Sequence, residues 1–208
     1  MRRASSIISS TLLLLLAGCT LVPRPLKPVR YYSILPPAAA APKAAAGPQE
    51  RVIAVRLLDA PPRYRERIFF RREGHAAGFH EFDRWADPPA EMATATLRRT
   101  LQAAGLAAAV ADERLVRRPQ LVLEGRLTRF DEVQGRDLWS AECEIEIVLK
   151  RDDGGVVLYT LLAASHDARA KTTAAFVEAM NAAVADVAAH AAEAVKKALE
   201  DERKAKKD

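Results

Sequence analysis

"AECEIEIVLKRDDGGVVLYTLLAASH", residues 141–166, decides the fold. Its first part alternates Ala141, Cys143, Ile145, Ile147 and Leu149 with Glu142, Glu144 and Glu146. Successive side chains of a strand point to opposite faces, so this period of two reads as a half-buried strand with one acidic, wet face. Gly154-Gly155 turns the chain into a second apolar strand, residues 156–166. Upstream, residues 120–130 alternate Leu121, Leu123, Gly125 and Leu127 against Val122, Glu124 and Arg126, which makes a third strand. Downstream, a long helix begins near Thr172. Phe176, Met180, Ala183, Val184, Val187, Ala191, Val195 and Leu199 fall on one of its faces, and its many alanines allow close packing on a sheet.

Working back toward the N-terminus, Val52, Ile53, Val55, Leu57 and Leu58 form an apolar strand. Residues 63–85 read as a hairpin: Ile68-Phe69-Phe70 leads up, Gly74 and Gly78 turn, and Phe79 to Trp85 returns. Asp87 is placed to cap a helix, Pro88 suits its first turn, and Glu91 complements the positive end of its dipole. Met92, Ala95, Thr96, Leu97, Leu101 and Ala104 continue it, and Gly105 ends it. Strands, helix, strands, helix is an α/β order. The expectation is one sandwich domain over 51–199, a mixed, largely antiparallel sheet covered by two helices, the C-terminal one long. Residues 200–208, "EDERKAKKD", read as a charged, solvated tail.

The N-terminus carries a different message. Met1-Arg2-Arg3 precedes a short apolar run from Ile7 to Leu16, the layout of a secretory signal over 1–18. The run is shorter than the roughly 20 residues a spanning helix needs. Leu16-Ala17-Gly18-Cys19 resembles a bacterial lipobox, which implies cleavage before Cys19, acylation of that cysteine and a membrane-tethered body. By resemblance to the sorting rule of such proteins, Thr20 points to the outer membrane, periplasmic face. Residues 19–50 read as a Pro/Ala-rich tether, with a short strand at 31–35, "YYSIL", and a low-complexity stretch at 36–48. Loss of Arg2 and Arg3 with the signal lowers the net charge from +5 to +3, a weak electrostatic pull on any acidic partner, and an exported chain does not meet nucleic acid. Beside Cys19 only Cys143 remains, so no intrachain disulfide framework is available, and Cys143 reads as a small buried hydrophobe.

Catalytic signals are sparse. The histidines are His75, His80, His166 and His190. In "HEFD", a regular strand puts His80 and Phe82 on one face and Glu81 and Asp83 on the other, which separates the acid from the base. No H-E-x-x-H, G-x-S-x-G or P-loop pattern is present. The chain reads as a non-enzyme without cofactor or metal. Arg63, Arg65, Arg67, Arg71 and Arg72 crowd the first hairpin arm. They are either a charged strand edge that blocks unwanted pairing or a contact for lipid phosphates or an acidic protein. Arg65, Arg67, Arg71, Arg72 and Trp85 are the candidate interface; Trp85 and Trp139 each also suit core or rim packing.

The lipobox, "YYSILPP", "RERIFFRREGHAAGFHEFDRWADPPAEMATATLRRTLQAAG", "LTRFDEV" and "FVEAMNAAV" together resemble the ABC-type transport auxiliary lipoproteins. The likeness covers nearly the whole mature chain, and Arg84-Trp85-Ala86-Asp87-Pro88-Pro89 is its most specific piece. The alanine-rich insert and the charged tail depart from it. The resemblance implies transport rather than catalysis: a docking lipoprotein at the outer membrane, serving an ABC transporter and an MCE-domain protein that move lipid between membranes. Some relatives are held to form rings, so a homo-oligomer is among the expectations. A lipoprotein that binds and regulates a cell-wall or envelope-assembly machine would suit the same tethered domain.

Overall fold

β6, Leu121–Gln134, is the spine of the sheet in the computed structural model, which describes residues 27–35, 51–72 and 75–205. The expected signal, Cys19, most of the tether, Gly74 and the last three residues lie outside the described residues. On one side β6 runs antiparallel to β7 (Trp139–Arg151) along its whole length, and β7 runs antiparallel to β8 (Val156–Asp167). On its other side two short partners share it. β2 (Val52–Val55) pairs parallel with Leu121–Leu123, and β3 (Arg67–Arg72) pairs parallel with Glu132–Gln134. β5 (Ala109–Asp112) extends the first branch in parallel. β4 (Ala77–Trp85), antiparallel to β3, and then β1 (Arg30–Tyr32), parallel to β4, extend the second. The sheet is therefore mixed as expected, with long antiparallel ladders and parallel ones of only three or four pairs. β5 has no counterpart in the sequence reading, because Val110 is its one fully buried side chain and alanines surround it.

Helices α1 (Pro89–Ala103) and α2 (Thr173–Ala205) pack on each other and on the sheet. The face they cover is the alternating one: Ala141, Cys143, Ile145, Ile147 and Leu149 are all buried. All eight α2 residues assigned to its apolar face are buried too. Burial pushes the Cys143 thiol up to about 12, which suits an inert core residue. No helix among the described residues is long and apolar enough to cross a membrane.

Local details differ from the expectation. Pro88 occupies the N-cap of α1 with extended backbone, Pro89 starts the helix, and no side chain caps it, so Asp87 stands one residue too early. Ala93 is buried and Ala104 exposed, which shifts the α1 stripe by part of a turn. Gly105, at φ +64°, ends the helix as expected. Gly78 lies inside β4 rather than in the turn; a Cβ there would stand 2.8 Å from Phe70 Cζ. The tail is not free of the fold: α2 runs on to Ala205, and Glu202 accepts hydrogen bonds from Arg51 (2.6 Å) and Arg151 (3.1 Å). That pairing ties the last turns of α2 to the chain before β2 and to the end of β7.

Candidate docking surface

The hairpin β3–β4 carries two polar clusters, one on each face of the sheet. On the face away from the helices, Arg71 Nε donates to Asp131 (2.6 Å) and Arg71 Nη2 to Glu142 (2.5 Å), joining β3 to β6 and β7. The Tyr64 hydroxyl donates to the same Asp131 carboxylate. Burial, then the bond to Asp131, pushes Tyr64 up to about 12. Tyr64, Phe69 and Phe79 stack edge-to-face beside this cluster. Arg63 lies 4.4 Å over Tyr64, and Arg67 lies 4.7 Å over Phe79. Arg72 lies over Phe70 and donates to Gln134. The arginine row is thus largely bound to the domain's own aromatics and carboxylates, while Arg65 is exposed.

On the helix side, His80 bridges two acids. Its Nε2 is 2.9 Å from Glu132, whose residue is fully buried, and its Nδ1 is 3.4 Å from Asp83. Asp83 also accepts from Thr173 at the start of α2 (2.6 Å) and from Arg30 of β1 (2.7 and 3.0 Å). Gln134 donates to Glu132. Burial works against the imidazolium, but the hydrogen bonds and charges of Glu132 and Asp83 outweigh it and hold His80 above its ordinary pKa. For Asp83, burial opposes ionisation, and the bonds from Arg30 and Thr173 overcome it and keep the carboxyl below its usual range.

This cluster overturns the regular-strand reading of "HEFD". Two steps along β3, from Arg67 to Phe69, are matched by five along β4, from Arg84 to Phe79. The extra residues bulge, and His80 and Asp83 come to share a face. The sequence carried no mark of it, because a bulge is set by the partner strand's register. Trp85 is corrected as an interface residue. It is 1% exposed, 5.3 Å from Phe130 and 6.0 Å from Phe176 between ring centroids, so it pins the hairpin into the core instead of meeting a partner. Trp139 is half-buried at the start of β7.

Chemically, both clusters are closed. Each carboxylate in them has an arginine, hydroxyl, imidazole or amide partner, and both ring nitrogens of His80 face carboxylates of the domain itself. Among the described residues no group of His, Cys, Asp and Glu is arranged to hold a metal. A shallow cleft of about 420 Å³ opens beside the inner cluster, lined by Lys27, Pro28, Arg30, His80, Glu81, Phe82 and Asp83.

This fold has solved counterparts. A crystal structure of a protein from Xanthomonas campestris superposes with TM-score 0.73 at 20% identity, over 85% of this chain and 99% of that one. That of an uncharacterized protein gives 0.65 at 14%, over 80% and 98%. At these identities the likeness speaks for fold. No curated protein matches the chain. The family model for the ABC-type transport auxiliary lipoprotein component matches residues 32–192, from β1 through the hairpin and the whole sheet into α2, and the chain belongs to that family.

Proposed function

We propose that this chain is a non-enzymatic docking component, held by acylated Cys19 at the periplasmic face of the outer membrane. In this reading it serves an ABC transporter and an MCE-domain protein that move lipid between bacterial membranes. Membership in the auxiliary lipoprotein family, together with Leu16-Ala17-Gly18-Cys19, carries the reading. The closed state of the two clusters agrees with it, since every charged group there is spent on holding strands together. The exposed part of the hairpin away from its tip, Arg65 with the rim of Phe79, is the surface left for a protein partner.

Two measurements test the proposal. Crosslinking in intact cells, followed by purification of the full-length lipoprotein, is expected to recover an MCE-domain protein and the transporter permease; recovery of a cell-wall synthase in their place would overturn it. Cys19→Ala is expected to abolish incorporation of labelled palmitate and to release the protein from membranes. Undiminished label in that variant would remove the anchor from the account.

A further inference from the structure

The chain enters the domain at one end of the sheet, and that end has a composition of its own. β1 runs parallel to β4, with Arg30 opposite Asp83, so residues before Arg30 head back toward the start of β4. Lys27 confirms the direction, lying 5.7 Å over the Phe82 ring. The same end holds the close of β3 at Arg72, the β6–β7 turn with Arg136, Asp137 and Leu138, and the β8–α2 connection with Asp167, Arg169 and Lys171. Lys171 donates to the Arg136 carbonyl, which draws that connection and that turn together. Arg72, Arg169 and Lys171 are exposed, and so is Leu138 at 47%, next to half-buried Trp139. Among the described residues, the exposed carboxylates of this end are Glu81, Asp137 and Asp167, against the exposed cations Lys27, Arg72, Arg136, Arg169 and Lys171.

We infer that this end of the domain is a membrane-facing surface that rests on anionic lipid headgroups. The inference depends on the acylation of Cys19 proposed above. Lys27 follows Cys19 by eight residues, and a chain of that length reaches at most about 29 Å. β6 alone, at 14 residues, is about 46 Å long. A domain standing on its other end would hold Lys27 most of that length from the surface, beyond the reach of the connection. The near end places lysine and arginine at the phosphate level, with an exposed leucine and a tryptophan edge, the side-chain types that settle at a bilayer interface.

The test uses the full-length acylated protein in vesicles of phosphatidylethanolamine and phosphatidylglycerol, some carrying nitroxide on the lipid headgroup. Leu138→Cys and, at the opposite end, Asp152→Cys are each labelled with a fluorophore; buried Cys143 does not compete. Headgroup nitroxide is expected to quench the label at 138 severalfold more than that at 152. High salt, or Arg169→Glu with Lys171→Glu, is expected to lower the quenching at 138. Equal quenching, or stronger quenching at 152, would overturn the inference, as would indifference of the wild type to salt. Flotation with the vesicles in high salt separates the two failures: if flotation persists, the orientation alone is wrong; if it is lost, the anchor is wrong as well.

Discussion

The two flanks of β6 are built by different rules. On the β7–β8–α2 flank, long antiparallel ladders put every second residue of β7 under a helix, and the buried side chains of β7 are all apolar. On the β3–β4–β1 flank the ladders are short, β4 is bulged, and Asp83, Asp131 and Glu132 are all buried. An apolar flank is held by buried area and by long ladders whose register the one-sided burial fixes. A flank of buried carboxylates is held by partners that must be in place, because an unpaired buried charge costs far more than a paired one returns. The first flank is a foundation; the second is a specified geometry, which suits the part of a lipoprotein that presents a surface.

Four substitutions sharpen this contrast, in falling order of effect. Trp85→Ala removes a large buried side chain that joins the two flanks, through Phe130 and Phe176. Unfolding in urea is expected to show a loss of about 3–5 kcal/mol; a loss no larger than a surface change would mean that the hairpin is not pinned there. Arg71→Glu leaves Asp131 buried without its cation and sets a second carboxylate beside Glu142. Arg71 is itself partly exposed, so the cost is reduced to about 2 kcal/mol, and Arg71→Lys should recover part of it.

The inner cluster makes the pH behaviour of the two flanks diverge. Because folding raises the pKa of His80, its contribution is complete below the unfolded imidazole's value of about 6.5 and fades as pH rises through the folded one. Asp83, lowered by folding, acts in the opposite sense: its contribution is present above the unfolded carboxylate's value and is lost as pH falls through the folded one. Melting of the wild type and of His80→Gln is therefore expected to differ most near pH 5, with the wild type more stable, and to converge near pH 9. A gap that widens with rising pH would contradict a protonated His80. The smallest effect belongs to the ion pairs that tie down the end of α2: Glu202→Gln should cost about 0.5–1 kcal/mol and make the last turns of α2 exchange amide hydrogen faster than its middle.

How much of this was legible beforehand follows the same division. The alternation from Ala141 to Leu149 and the eight-residue stripe of α2 were readable because burial on a regular element repeats with the element's own period. The hairpin's existence was readable from its apolar runs and glycines, and so was the crowding of arginine on its first arm. Their assignments were not: Arg71 finds Asp131 sixty residues on, and Trp85, placed among interface candidates, belongs to the core.

By itself the sequence determined the α/β class, the one-sided burial of the β6–β8 meander, the long C-terminal helix and the family's motifs, all of which depend on neighbours close along the chain. Tertiary structure alone decided that His80 and Asp83 share a face, that Arg30 of the tether closes on Asp83, that Glu202 belongs to the fold, and that β2 and β3 divide one edge of β6 between them. Each of these is a pairing between distant segments, chosen by register and by the need of a buried charge for a partner, and neither of those is written in any local period.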